Sequence, residues 1–137
     1  MTFFEFFQKY NNTFVDTDNA YGPQCMDLMH IFCTDVLGLD KSTLSAPSAK
    51  EVWQRFPNVP GAQYFKQIKN TLWNVPQQGD IVFFGVGQYG HVSIFNEGDA
   101  RRFTSIDQNW PLNSPVHVQE HTYGFMGRSV LGWVRKV

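Results

Sequence analysis

The sequence has few cysteines, little excess charge and no long apolar run, and each shortage excludes a class of protein. The formal net charge is −1, so the charge balance gives no indication of a nucleic-acid partner. No apolar run reaches the roughly 18 residues that a membrane-spanning helix needs. The opening segment, Met1–Glu5, lacks the basic start and the long apolar core of a signal peptide. We therefore expect no nucleic-acid partner, no membrane span and no signal peptide.

The two cysteines, Cys25 and Cys33, are eight positions apart. The apolar residues after Cys25 recur at helical spacing, which places both thiols on one predicted helix. At about 1.5 Å of rise per residue the two would lie roughly 12 Å apart, too far for a disulfide. The fold therefore does not depend on oxidation.

Aromatic residues and local start signals are plentiful. Of the 137 residues 16% are aromatic, which predicts one ordered domain over residues 1–137 with a substantial core. Capping boxes at Thr2–Glu5 and Ser48–Glu51 predict helix starts in the first half. Strand-length runs follow at residues 81–84, 91–95, 103–109, 116–120 and 130–134. Helices followed by an antiparallel sheet are typical of the α+β class.

Three aspartates, Asp16, Asp18 and Asp27, lie just before and within the start of the Cys25 helix. They occupy positions 1, 3 and 12 of a loop, the spacing of carboxylate ligands in an EF-hand. Tyr21 stands where an EF-hand needs Gly, and Ala20 offers no side-chain ligand, so an ordinary EF-hand is excluded. The stretch is either a different cation-binding loop or a solvated acidic turn.

Cys25 falls at the first turn of the predicted helix, where the positive end of the helix dipole favours a thiolate. A cysteine in an apolar helix is more often a small buried hydrophobe, and Cys33 fits that description. The position of Cys25 alone leaves both interpretations open.

Polar residues that could serve a thiol lie in the second half of the chain. Asp107 and Asn109 are two apart in a predicted strand and share a face, whereas Gln108 points away. A hairpin turning near Gly98–Asp99 would set His91 opposite Asp107 or Asn109. Beneath the Cys25 helix these groups would form a cysteine–histidine–polar arrangement, in which the histidine takes the thiol proton.

Each of these residues also has an ordinary structural explanation. His91 could be a satisfied histidine at a strand end, and Asp107 and Asn109 could bound a turn before Pro111. The other histidines fit a catalytic role less well, because His30 lies inside the predicted helix and no acidic partner is spaced for His117 or His121.

Four segments in this order resemble the CHAP family, the cysteine, histidine-dependent amidohydrolases/peptidases: Gly22–Leu28, Gly79–Val82, Gly90–Ile94 and Asp107–Trp110. The resemblance is closest to the CHAP domains of phage endolysins. It implies a papain-like, NlpC/P60-like α+β fold, with N-terminal helices packed on an antiparallel sheet. It also implies cleavage of an amide bond in bacterial peptidoglycan.

The same resemblance implies roles for particular residues. Cys25 would be the nucleophile, His91 the general base and Asn109 the residue that orients His91. Asp107 stands where several relatives have Glu, so the shares of Asp107 and Asn109 in orienting His91 stay open. The Cys25 backbone N–H, with the Gln24 side chain, would form the oxyanion hole, and Trp110 would contact substrate.

The resemblance further implies a structural Ca²⁺ and no organic cofactor. The ion would be held by the side chains of Asp16, Asp18 and Asp27 and by the backbone carbonyls of Ala20 and Gly22. We expect a monomer that stays in the host bacterial cytoplasm until release to the wall, or a virion-associated protein. Two alternatives for the bond stay open, an N-acetylmuramoyl-L-alanine amidase and a peptide endopeptidase. A non-catalytic calcium-stabilised wall-binding or virion structural module is the alternative from another class.

Overall fold

The computed structural model describes residues 1–19, 22, 24–124 and 130–137. Its helices are α1 (Phe3–Tyr10), α2 (Cys25–Asp35) and α3 (Ala49–Arg55), with a 3₁₀ turn at Ala62–Tyr64. Its strands are β1 (Phe65–Lys69), β2 (Ile81–Phe84), β3 (His91–Gly98), β4 (Arg102–Asp107), β5 (His117–Thr122) and β6 (Val130–Lys136). None of the helices in these described ranges is long and apolar enough to cross a membrane.

The strands form one sheet in the order β1-β6-β2-β3-β4-β5, and every neighbouring pair is antiparallel. The helices come before the sheet in the chain, so the predicted α+β class is confirmed.

Local signals set the helix starts where the sequence predicts them. Thr2 Oγ1 accepts a hydrogen bond from Glu5 N, and the Glu5 carboxylate accepts one from Thr2 N, which completes the predicted capping box. Ser48 Oγ accepts a hydrogen bond from Glu51 N at the start of α3. Each cap satisfies donors that the first helical turn leaves without an intrahelical partner.

Two apolar clusters cover the two faces of the sheet. The helix-side cluster joins the three helices to alternate strand residues, among them Phe83, Val92 and Ile106. The outer cluster, on the opposite face, comprises Val82, Phe84, Phe95, Phe103, Val130 and Trp133. Because side chains alternate along a strand, His91 and Asp107 point to the face of the outer cluster.

The structure corrects two predicted boundaries in the hairpin. Residues 96–98, predicted to lie in the turn, belong to β3, with a register shift between Phe95 and Glu97. Strand β4 ends at Asp107 and not at Asn109, because Asn109 adopts a left-handed conformation with φ of 64°. Strand β1 lies outside the strand-length runs that the sequence predicts.

Candidate active site

Cys25 is the first residue of α2, and Gln24 is the residue that precedes the helix. The side chain of Cys25 is half-buried, whereas Cys33 lies in the core. Burial raises the pKa of the Cys33 thiol to about 12, which keeps that group protonated. Of the two thiols, Cys25 is the one placed for chemistry, at the N-terminal end of a helix beside its own backbone N–H.

The start of α2 is tied to the acidic loop by Asp27. One carboxylate oxygen, Oδ2, accepts a hydrogen bond from Gln24 N at 2.8 Å. The other, Oδ1, accepts from Thr17 N at 3.1 Å and from Thr17 Oγ1 at 2.8 Å. Asp27 is buried, so these bonds fix the loop against the first turn that carries Cys25.

Gln108 ties the same region to the sheet, a role that sequence reasoning missed. Its Oε1 accepts a hydrogen bond from Val15 N at 2.7 Å, and its Nε2 donates to Val15 O at 2.8 Å and to Gln24 O at 2.7 Å. The side chain is fully buried and points away from the Asp107 face, as alternation predicts. A polar residue in an otherwise apolar strand was the available signal, since a buried amide needs partners.

His91 is the first residue of β3, and the turn before it is shaped by Gly90 and helix α3. Gly90 has φ of 72°, and a Cβ there would lie 2.6 Å from Phe84 O. Lys50 N donates to Tyr89 O, and Lys50 Nζ donates to Gly87 O. The glycine is therefore required, and the turn delivers the buried His91 ring to the end of the sheet.

Two groups hold His91. Its Nε2 lies 2.6 Å from Asp107 Oδ2, and its ring lies close enough to Cys25 for the thiol to influence its pKa. Burial, the largest single influence, lowers the pKa of His91, but the hydrogen bonds and charges of Asp107 and Cys25 outweigh it and raise the pKa to about 9. The imidazole is therefore held between a thiol and a carboxylate, and its protonated form is favoured.

Asp107 is fully buried and has three side-chain partners. Ser105 Oγ donates to Oδ1, whereas His91 Nε2 and His121 Nε2 both approach Oδ2, the latter at 3.0 Å. Burial raises the pKa of Asp107, but the hydrogen bonds from His121 and His91 hold it below its ordinary range. The prediction that His121 lacks an acidic partner is wrong, because its side chain reaches along β4 to Asp107 from a position opposite Phe103.

The structure does not place Asn109 against His91. Asn109 Oδ1 accepts a hydrogen bond from Asn113 N at 2.6 Å, and Asn109 N donates to Ser114 O at 3.0 Å. The strand has ended, so Asp107 and Asn109 no longer alternate on one face as the sequence predicted. Asn109 builds the loop after β4, and the contact to His91 belongs to Asp107.

Trp110, expected to contact substrate, packs against His91. Its ring centroid lies 4.7 Å from that of His91 and 5.7 Å from that of His121. Its side chain is half-buried and lines a cavity of about 510 Å³ that also borders His121.

The acidic loop brings its three aspartates together. One oxygen each from Asp16, Asp18 and Asp27 lies within 4.8 Å of the others. Two oxygens that bind one Ca²⁺ at about 2.4 Å lie no farther apart than this, so the donor set fits a hard cation. Gly22 follows in a left-handed conformation with φ of 73°. Ala20, the other expected backbone ligand, lies outside the described residues.

The arrangement has the parts that nucleophilic catalysis at an acyl carbon requires. A thiol at a helix N-terminus lies beside an imidazole, and a buried carboxylate holds Nε2 of that ring. The carboxylate fixes the ring orientation and stabilises the imidazolium, as the third member of a triad does.

Comparison with known proteins agrees with this geometry. The model of the CHAP domain family matches residues 14–109, which is more than half of the chain and contains Cys25, His91 and Asp107. The crystal structure of the wild-type endolysin LysIME-EF1 is similar, with a TM-score of 0.76 and 27% identity over 96% of this chain and 61% of that chain.

Two structures of a further protein, Ly7917, show the same fold. One has a TM-score of 0.65 and 18% identity, covering 99% of this chain and 62% of that chain. The other, with the hydrolysis product of MDP, has a TM-score of 0.55 and 21% identity, covering 82% of this chain and 53% of that chain. This chain thus spans about three fifths of the length of the LysIME-EF1 chain and of the first Ly7917 chain. It belongs to the CHAP family and has the papain-like α+β fold of endolysin CHAP domains.

Proposed function

We propose that this chain is a peptidoglycan hydrolase that cleaves an amide bond by a cysteine-dependent mechanism. One observation carries the proposal: a half-buried cysteine at a helix N-terminus lies beside a histidine whose Nε2 is held by a buried carboxylate. Membership of the CHAP family and similarity to an endolysin support peptidoglycan as the substrate.

In this mechanism the sulfur of Cys25 attacks the amide carbonyl carbon, and the proton of the thiol resides on His91. The carbonyl oxygen becomes an oxyanion beside the backbone N–H of Cys25, with Gln24 as the second candidate donor. His91 then donates its proton to the leaving amine as the C–N bond breaks, which leaves an acyl-enzyme. Water, deprotonated by His91, attacks the thioester and releases the acid and the thiol. Asp107 keeps the His91 ring oriented through both steps.

Two kinds of bond in peptidoglycan suit this chemistry. One joins N-acetylmuramic acid to the first alanine of the stem peptide, and the others lie within the stem or its cross-bridge. Both are amides, and the pocket around Cys25 decides between them. We propose an amidase or an endopeptidase, and digestion products identified by mass spectrometry distinguish the two.

We further propose that Asp16, Asp18 and Asp27 bind a structural Ca²⁺, with Gly22 and Ala20 as candidate backbone ligands. The closeness of three carboxylate oxygens supports this assignment, because without a cation their charges repel one another. Ca²⁺ would supply charge neutralisation and cross-linking of the loop. Asp27 already links the loop to the start of α2, so the loop positions Cys25 without touching substrate.

The test is the release of soluble muropeptides from purified cell walls. Cys25→Ser should fold and release none, because a serine hydroxyl is a far weaker nucleophile in a site built for a thiolate. Cys33→Ser is the matched control and should retain activity, with some loss of stability from a polar atom in the core. Muropeptide release by the Cys25→Ser variant would exclude the thiol mechanism, and none by the wild-type chain would exclude the proposed function.

A further inference from the structure

His121 is a buried titratable group for which the mechanism above has no role. It lies on β5, the strand at the edge of the sheet, and its side chain is 5% exposed. Its Nε2 lies 3.0 Å from Asp107 Oδ2, the oxygen that also binds His91. Packing alone does not explain this orientation, since a ring that merely filled space would have no need to aim a nitrogen at a carboxylate.

We propose that His121 is a positioning residue that holds the Asp107 carboxylate in register with His91. The proposal rests on the function proposed above. Asp107 would then be fixed by one donor on Oδ1, from Ser105, and two on Oδ2. With these partners the carboxylate cannot rotate about its last torsion without breaking a charge-assisted hydrogen bond, so the His91 ring is held in one orientation.

The ring of His121 is itself held by aromatic neighbours. Its centroid lies 4.7 Å from that of Phe84, 5.3 Å from that of Phe103 and 5.7 Å from that of Trp110. Phe84 and Trp110 also contact the His91 ring, at 5.3 Å and 4.7 Å. The two imidazoles thus share the aromatic neighbours Phe84 and Trp110, and both approach the same carboxylate oxygen, Asp107 Oδ2.

His121 also separates that carboxylate from solvent. It borders the cavity of about 510 Å³, which is lined by Phe84, Trp110 and four consecutive residues of β5, whereas Asp107 is fully buried. Truncation at His121 would therefore open Asp107 to the cavity. An imidazole molecule is small enough to enter a space of this size, which gives a direct test.

The groups that face His91 come from three elements. They are Cys25 from α2, Asp107 from β4 and His121 from β5, and Arg102 and Glu120 line the cavity beyond His121. Without the His121 donor, Asp107 Oδ2 keeps only its hydrogen bond with His91. The carboxylate therefore becomes a stronger acceptor for His91. The titration midpoint of His91 should then move to higher pH.

The experiment compares His121→Phe with His121→Ala. Phenylalanine keeps the aromatic packing and removes the donor, so kcat for muropeptide release should fall about 10- to 100-fold with little change in KM. His121→Ala should lose a similar factor and be partly rescued by added imidazole, whereas His121→Phe should not. His117→Ala is the control on the same strand, because His117 pairs with Asp107 in the strand register but both of its ring nitrogens bond elsewhere, to Pro115 O and Gln119 Oε1.

One readout does not depend on turnover. The titration of the His91 ring, followed by nitrogen-15 NMR, should shift upward in His121→Phe and stay unchanged in His117→Ala. A His121→Phe variant with wild-type kcat and an unshifted His91 titration would overturn the proposal and show that His121 only fills space. A wild-type chain that releases no muropeptides but whose His91 titration shifts in His121→Phe would refute the proposed function and keep the positioning role.

Discussion

At the scale of single residues, the site depends on one carboxylate. Asp107 is fully buried, yet Ser105, His91 and His121 give it three side-chain hydrogen bonds, and these keep its pKa low. A buried charge is tolerated when it is paired and hydrogen-bonded in this way. The same bonds make the carboxylate rigid, which is what an orienting group in a catalytic triad needs.

We predict that Asp107→Asn lowers kcat severely, by about 10³- to 10⁴-fold, because the amide cannot stabilise the imidazolium.

Asn109→Ala should keep most of the activity, because the Asn109 side chain bonds to Asn113 N and not to His91. It should instead lose about 1 kcal/mol of stability, since alanine tolerates a positive φ poorly. Steady-state kinetics measure the activity of both variants, and thermal melts measure the loss of stability in Asn109→Ala. An Asn109→Ala enzyme as impaired as Asp107→Asn would return the orienting role to Asn109, as the family resemblance implied.

A second residue-scale prediction concerns pH. The pKa of folded His91 is raised above its ordinary value of 6.5 to about 9, so the imidazolium persists through neutral pH and is lost as pH rises through about 9. Because His91 must donate a proton to the leaving amine, turnover of a soluble muropeptide should fall on that alkaline limb. Asp107→Asn removes a charge that favours the imidazolium. The alkaline limb in the pH profile of this variant's residual activity should therefore lie at lower pH than in the wild-type chain. A wild-type limb near pH 6.5 would contradict the assignment.

At the scale of elements, Gln108, which directly follows β4, links the sheet to Gln24 at the start of α2. This residue bonds to the backbone of Val15 and Gln24, residues 93 and 84 positions away in the chain. The end of β4 therefore carries Asp107 for the histidine on one face and Gln108 for the cysteine helix on the other. This segment is therefore one of the links that fix the start of α2 relative to the sheet.

We predict that Gln108→Ala destabilises the fold and lowers kcat as well. Each buried backbone group left without a partner costs about 1–3 kcal/mol, and three such bonds would be lost. Denaturant unfolding measures the loss, and residual activity should be judged at a temperature where the variant is folded. Gln63→Ala, at an exposed glutamine, is the control and should match the wild-type chain. Unchanged stability of Gln108→Ala would show that water replaces these bonds.

The sequence predicted the parts of the fold that depend on local signals. The caps at Thr2 and Ser48 and the apolar strand at residues 81–84 lie where the pattern placed them, because neighbouring residues alone decide them. The end of β4 was placed two residues too late, because the left-handed Asn109 is stabilised by bonds to Asn113 and Ser114 in the following loop. The partnership of His121 with Asp107 joins two residues that are not opposite each other, since His121 pairs with Phe103, and no local pattern encodes such a contact.

At the scale of the whole molecule, the proposed Ca²⁺ site in the acidic loop would link cation binding to stability. We predict that Ca²⁺ raises the melting temperature of the metal-stripped protein and restores lysis lost on chelation. A ligand that binds only the folded state at 100 times its Kd adds about 2.7 kcal/mol. Mg²⁺ should restore both poorly, because it demands a tighter octahedral shell.

Asp16→Ala and Asp18→Ala separate the cation from the catalytic groups. Each variant should abolish the calcium-dependent rise in melting temperature and leave the contact between His91 and Asp107 intact. Asp40→Ala, a change at an exposed aspartate outside the loop, should leave that rise unaltered. Equal melting temperatures and equal lysis with and without calcium in the wild-type chain would show that the loop is only a turn.

Strand β6 is last in chain order, yet it lies between β1 and β2. During synthesis the chain therefore emerges with a gap in the middle of its sheet, and β1 has no neighbour until the final strand arrives. Cys25 is made early and His91 and Asp107 much later, so the three side chains come together only after most of the sheet has been made. The sheet between β1 and β2 closes only once β6 has been made, so under the proposed function hydrolysis would wait for that strand.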